Sequence, residues 1–123
     1  MIAADTSSMV AFLSGASGSD VDRIKASAAD DSLLLPPPVV SELLSKPRGL
    51  EAYGLIGEPK LIDIALGFWE RAGTNRALLL SKGLKAKLAD ALIAQCCIDA
   101  DVPLITRDAD YRHFAHWCGL KLA

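Results

Sequence analysis

Short apolar runs alternating with helix-patterned segments predict an α/β protein: a three-layer α/β/α domain around a central parallel sheet of four to five strands. Three observations lead there. The candidate strands at residues 1–5, 33–35 and 102–106 are apolar along their length and do not alternate with polar residues, so both sheet faces are expected to be covered. Segments with helical periodicity lie between them, giving successive strands the long crossovers that parallel pairing needs. Apolar residues make up 51% of the 123-residue chain, enough for one sizeable core, and the whole of 1–123 is expected to form a single domain.

Taken in order, Met1-Ile-Ala-Ala-Asp5 reads as a buried strand ending on an acid, and residues 6–14 carry Met9, Val10, Phe12 and Leu13 in a helix-compatible stripe. Residues 15–19 form a loop, and Ser19 or Asp20 is expected to cap a helix running to about Ala29. A second strand, Leu33-Leu-Leu35, stops at Pro36-Pro37-Pro38; Pro38 suits the first turn of a helix bearing Val39, Val40, Leu43 and Leu44, which Pro47-Arg-Gly49 closes. Residues 50–59 show no readable pattern. Residues 60–64 are expected to form a short strand, followed by a helix through Phe68, Trp69, Ala72, Arg76 and Leu79 to about Ser81. After a lysine-containing connection, Leu88–Ala100 is a strong helix rich in Ala, Leu and Ile, and residues 102–106 are a strand. A short helix at Tyr111–Cys118 and a last strand at residues 120–122 complete the pattern.

The composition excludes several classes of protein. A formal net charge of −2 argues against a protein that coats DNA, while leaving room for a nuclease with a local basic rim. Cys96, Cys97 and Cys118 show no zinc-ligand spacing; adjacent cysteines are poorly placed to pair with each other, so all three read as small thiols in a reducing cytosol. The first 14 residues lack a basic start and are interrupted by Asp5, and no apolar run approaches membrane-spanning length. A cytoplasmic protein that does not contact a membrane is expected.

The chemistry lies in the acids. Ligands of such sheets collect beyond the carboxyl ends of the strands. Asp5 ends the first strand, Asp108 follows the strand ending in Thr106, Glu42 lies in the helix after the second strand, and Asp90 opens the helix that leads to the Asp108 strand. Right-handed crossovers return these segments to the same edge, so four carboxylates distant in sequence can converge on one cleft. Asp90 is embedded in Leu88-Ala-Asp-Ala-Leu-Ile-Ala94, with Lys87 the one basic residue nearby. Buried carboxylates are costly unless paired. Two of them about 4 Å apart repel by roughly 4 kcal/mol at an effective dielectric near 20, and a divalent cation such as Mg²⁺ turns that repulsion into attraction.

Four motifs carry a family likeness: Met1-Ile-Ala-Ala-Asp-Thr-Ser7, Pro38-Val-Val-Ser-Glu-Leu-Leu44, Leu88-Ala-Asp-Ala-Leu-Ile-Ala94 and Leu104-Ile-Thr-Arg-Asp-Ala-Asp-Tyr111. Each is weak alone, but together, in this order and at this spacing, they resemble the PIN domains, and closely the VapC toxins of bacterial toxin–antitoxin modules. The resemblance implies an endoribonuclease that uses Mg²⁺, with Mn²⁺ as a possible substitute. Asp5, Glu42, Asp90 and Asp108 would be its catalytic and metal-binding quartet, with Asp5 and Asp90 at the centre. It implies that Ser7 and Thr106 stand as hydroxyls near the acids, and that a metal-activated water cuts RNA to leave a 5′-phosphate and a 3′-hydroxyl. It also implies a cognate VapB-type antitoxin and a homodimer. The last motif offers Asp108 and Asp110 for the fourth acid, and Asp108 is favoured as closer to the strand end.

Plainer roles stand beside these. Asp5 suits a helix N-cap, Glu42 a solvated helix face, and Asp108 or Asp110 a turn. Arg107 has two readings, holding substrate or pairing with an acid. Lys82, Lys85 and Lys87 suit RNA phosphates or a solvated helix end. His113 and His116, among Tyr111, Phe114 and Trp117, read as packing residues, and Phe68 and Trp69 as core or dimer contacts. Two other phosphate-handling folds do not fit. A receiver needs an acidic pair after its first strand, and a haloacid-dehalogenase-like phosphatase needs Asp-x-Asp where this chain has Asp5-Thr-Ser7. The competing reading is a non-catalytic PIN-like module that binds protein or RNA.

Overall fold

A computed structural model describes residues 1–123. Its three parallel strands, β1 (Ile2–Ala4), β2 (Leu33–Leu34) and β3 (Leu104–Ile105), lie in the order β2-β1-β3. Ala3 and Ala4 of β1 and Leu104 and Ile105 of β3 are almost completely buried, which is why these runs carry no polar alternation. The chain leaves β1 toward β2 through helices α1 (Thr6–Leu13) and α2 (Ser19–Ala29). It then returns to the other side of β1 through α3 (Pro37–Leu44), α4 (Gly49–Gly54), α5 (Phe68–Ser81) and α6 (Leu88–Ala100). Helix α7 (Tyr111–Cys118) follows β3. With right-handed crossovers, opposite directions of travel put the two helix groups on opposite faces of the sheet.

The outermost strands expected at 60–64 and 120–122 do not form. Each flank pairs through a single bridge, Leu35 with Leu61 and Leu104 with Leu122, so the sheet has three strands in place of four to five. Each segment buries one residue, Ile62 or Leu120, while Leu61 and Leu122 remain 46% and 39% accessible, so a longer ladder gains little burial. The pattern-poor stretch after residue 48 contains α4, which the sequence did not announce. Gly49 is required at its start, because a Cβ there would overlap the Leu43 and Leu44 carbonyl oxygens at the end of α3.

At the start of α2 the expected cap is absent. Gly18 occupies the N-cap position with no side-chain hydrogen bond to the helix, and Ser19 is already inside it. The Asp20 carboxylate is drawn elsewhere: it accepts the Ser8 hydroxyl at 2.9 Å and a two-pronged pair of bonds from Arg107 at 2.7 and 2.9 Å. Gly18 permits this with φ +150°, since a Cβ at that position would stand 2.5 Å from an Asp20 oxygen.

The core joins the inner strands to α6, where Ala91 and the unbroken run Ile93–Cys97 are buried, together with Phe68, Leu79, Tyr111 and Phe114 from α5 and α7. Gln95, buried among them, is satisfied by Asn75 and Asp99 at 2.8 Å each, and Arg71 closes on Asp99 from α5. Cys96 and Cys97 are free buried thiols; desolvation pushes Cys96 up to about 12 and Cys97 further, so both stay neutral and unreactive.

Candidate active site

The reversal in chain direction at β1 opens a crevice beyond the carboxyl ends of β1 and β3, the position where open α/β sheets bind ligands. A cavity of about 400 Å³ lies there, lined by Asp5, Glu42, Asp90 and Asp108 together with Thr6, Ser7, Lys46, Lys87 and Tyr111. The four acids come from the end of β1, from α3, from the first turn of α6 and from the loop after β3. None of the four takes part in an ion pair (the nearest lysines, Lys46 and Lys87, line the wall without closing on them).

Asp5 is the most constrained of them. It is 2% exposed, and one oxygen accepts the Ser8 backbone N–H at 2.9 Å, which makes it the N-cap of α1. The other oxygen accepts the Thr106 hydroxyl at 2.6 Å, while the Ser7 hydroxyl spans both at 3.0 and 2.8 Å. These bonds favour the charged carboxylate, yet desolvation outweighs them and holds its pKa above the ordinary value. The cap and the cavity wall are thus the same carboxylate. Both Ser7 and Thr106 act on Asp5, and Thr106 also accepts the Asp108 backbone N–H at 3.0 Å, setting the turn that carries Asp108.

Asp90 is half-buried. Its pKa is raised first by desolvation and then by the charge of Asp108, with a smaller contribution from Glu42; the Tyr111 hydroxyl, donating at 3.2 Å, and Lys87 oppose the rise. Glu42 accepts the Thr6 hydroxyl at 2.5 Å. Carboxylate oxygens of Asp90, Asp108 and Asp110 lie within 4.8 Å of one another. Asp108 faces the cavity, whereas Asp110 does not line it and pairs with Lys85 at 3.3 Å. Arg107 follows its acid-pairing reading: its guanidinium is held by Asp20 and by the Ser17 carbonyl, outside the cavity, and holds the Asp20 carboxyl down at about 2.

With this geometry in view, the sequence model of the PIN domain matches residues 2–116. The chain belongs to the PIN-domain family. Two solved structures share its fold over its full length. One is VapBC2 from Rickettsia felis bound to a DNA fragment from their promoter, at 21% identity and a TM-score of 0.78, covering 100% of this chain and 98% of that one. The other is DNA-bound VapBC from Salmonella typhimurium, at 18% identity and a TM-score of 0.72, with the same coverage of 100% and 98%. No curated protein matches the sequence.

Four participants in this PIN-domain site escape sequence reasoning. Thr6 orients Glu42, Tyr111 orients Asp90, Lys46 lines the cavity, and Asp20 draws Arg107 aside. Lys46 had a legible signal, standing one helical turn after Glu42. Tyr111 had none, because a tyrosine in an apolar helix reads as core, and it is core as well, at 2% exposed.

Proposed function

We propose that this protein is a divalent-metal-dependent endoribonuclease, using Mg²⁺ or Mn²⁺, and the toxin of a VapBC-type toxin–antitoxin module. One observation carries the reading: Asp5, Glu42, Asp90 and Asp108 converge on one cavity with no cation paired to any of them. The donor set fits a hard cation, being all carboxylate oxygen; the Asp90 pKa is raised by desolvation first and then by the charge of Asp108, an environment that a bound cation would relieve. A bound divalent ion supplies an activated water and neutralises charge developing on a phosphate.

The chain's own residues do the positioning. Ser7, Ser8 and Thr106 fix both oxygens of Asp5, the Tyr111 hydroxyl fixes Asp90, and Thr6 fixes Glu42. Lys46 and Lys87 supply positive charge on the cavity wall for the phosphates of an RNA strand. A groove of about 720 Å³ adjoins the cavity, shares Val10 and Lys46 with it, and is lined further by apolar Leu13, Leu43, Pro47, Ala52 and Leu55 and by polar Ser14, Arg48 and Glu51. That groove supports a VapB-type antitoxin as partner, with an apolar segment seated beside the acids. The homodimer and the cytoplasmic location belong to the same reading; no helix is long and apolar enough to cross a membrane.

The test is cleavage of RNA by purified protein. Metal-dependent products carrying 5′-phosphate and 3′-hydroxyl ends, abolished by chelator and by Asp90→Asn, are expected. Growth of a bacterial host should arrest on expression and recover when the adjacent antitoxin gene is supplied. RNA left intact at every metal tested, with growth equal for wild type and Asp90→Asn at equal soluble level, would hand the site to the non-catalytic binding module.

A further inference from the structure

One surface outside the cavity combines cations with an exposed aromatic ring. Lys82, at the end of α5, holds its ammonium 3.7 Å from the centroid of the Trp117 ring. His116 meets the same ring edge-on at 4.6 Å. Trp117 is 43% exposed although it sits in the last turn of a short helix whose other aromatics, Tyr111 and Phe114, are buried.

Two stretches of chain link this surface to the cavity. Along α7, Tyr111 lines the cavity and Trp117 comes six residues later, about 9 Å further along the helix axis and about 120° around it. Along the chain between α5 and α6, Lys82 beside Trp117 is followed by Lys85, paired with Asp110 next to the acids, and by Lys87 in the cavity wall. A row of cations therefore runs from the acids to an exposed indole. Lys46 also lines the cavity.

We propose that Trp117, with Lys82 and His116, is a base-stacking platform for single-stranded RNA whose backbone crosses the acid cavity between Lys46 and Lys87. The proposal rests on the nuclease reading for its ligand, and adds to it a contact for the bases outside the acid cavity. Unpaired bases stack on aromatic side chains while a positive groove follows the backbone, and this combination does not fit a duplex, whose bases are already stacked. Lys82 is no obstacle. An exposed cation–π contact is weak beside a stacked base, and the ammonium displaced from the ring is free to meet a phosphate.

The experiment uses the intrinsic fluorescence of Trp117. The chain has two tryptophans, and Trp69→Phe leaves Trp117 as the reporter. This protein is titrated in chelator, so that binding is read without cleavage, with a single-stranded RNA of about ten nucleotides and with a duplex of the same length. Quenching by the single strand, weakened by salt and much smaller for the duplex, is expected. Trp117→Ala should lower affinity for the single strand by roughly 5- to 100-fold, with Trp117→Phe keeping part of it. Trp117 emission unmoved by saturating single strand, equal quenching by the duplex, or unchanged affinity in folded Trp117→Ala would each overturn the platform. Metal-dependent cleavage by the unmodified protein is scored separately, so the nuclease reading stands or falls on its own.

Discussion

Replacing Asp90 by Asn keeps the side chain's shape, removes one charge, and separates a metal site from a structural anchor. Carboxylate oxygens of Asp90 and Asp108 lie no more than 4.8 Å apart, which corresponds to a repulsion of about 3.5 kcal/mol at an effective dielectric of 20. Both groups are half-exposed, so water screens this to about 1 kcal/mol, with Glu42 adding a little more. Two terms favour the charge: the Tyr111 hydroxyl bond, worth about 1 kcal/mol more to a carboxylate than to an amide, and the first-turn position in α6, worth roughly 0.3–1 kcal/mol. An Asn oxygen still accepts from Tyr111, and the desolvation that raises the Asp90 pKa is relieved. The expected result without metal is a variant equal to wild type or up to about 1 kcal/mol more stable, a rise in Tm of about 0–5 °C.

The sign of the pH dependence follows from the same shift. Asp90 has a folded pKa above its unfolded 3.8, so its charge costs stability at neutral pH, and wild type recovers that cost as pH falls through the folded value toward 3.8. Any advantage of Asp90→Asn should therefore shrink in acid. Added metal should reverse the order, because wild type gains about 2.7 kcal/mol at a hundred times Kd and the variant much less. Thermal melts of both proteins, in chelator and then in millimolar Mg²⁺ or Mn²⁺, read all of this. A variant that melts lower in chelator by the equivalent of roughly 1–3 kcal/mol, and then responds to metal as wild type does, would make Asp90 a structural anchor and remove it from the site.

Thr106→Val removes a donor that lowers the Asp5 pKa, so the acid limb of the cleavage profile should move to higher pH; an unmoved limb would detach Asp5 from the reaction. Asp20→Asn breaks the pair with Arg107 and should cost about 1 kcal/mol at neutral pH. The Asp20 pKa is lowered to about 2, so that contribution is present above 3.8 and lost as pH falls from 3.8 through 2; denaturant melts at pH 7 and pH 2 should differ between wild type and variant only at the former. Lys87→Ala should reduce the salt dependence of RNA binding by about one unit of slope, and Lys85→Ala by less because Asp110 already neutralises it; equal slopes in all three proteins would return these lysines to a solvated helix end.

The sequence was most legible where burial is complete. Strands β1 and β3 and helix α6 announce themselves because residues packed on every side must all be apolar, and their expected and observed positions agree closely. It was least legible where tertiary contacts override local pattern. Helix α4 has six residues with glycine at both ends, too few to show a periodicity, and is entered through Arg48 in the left-handed region. The flanking strands shrink to single bridges because edge segments gain little from extending. Asp20 does not cap α2 because it has a stronger partner in Arg107, 87 residues away, which no local rule sees.

The candidate site shows why a structural role and a functional role need not compete for one residue. Asp5 is readable as a helix cap or as an acid of the site, and the geometry lets one carboxylate serve both: Oδ1 holds the Ser8 N–H and Oδ2 takes the Thr106 hydroxyl, while the same group lines the cavity. Capping fixes the carboxylate without neutralising it, since a backbone N–H and two hydroxyls supply hydrogen bonds but no formal charge. Burial then keeps water from screening it. An ion pair in the same place would have stabilised the carboxylate and cancelled the charge a cation needs. The chain provides such a pair one step away, where Arg107, adjacent to Asp108, turns outward to Asp20. The cation nearest in sequence to the acids is thereby held out of the cavity, and the quartet stays without an ion-pair partner in the protein.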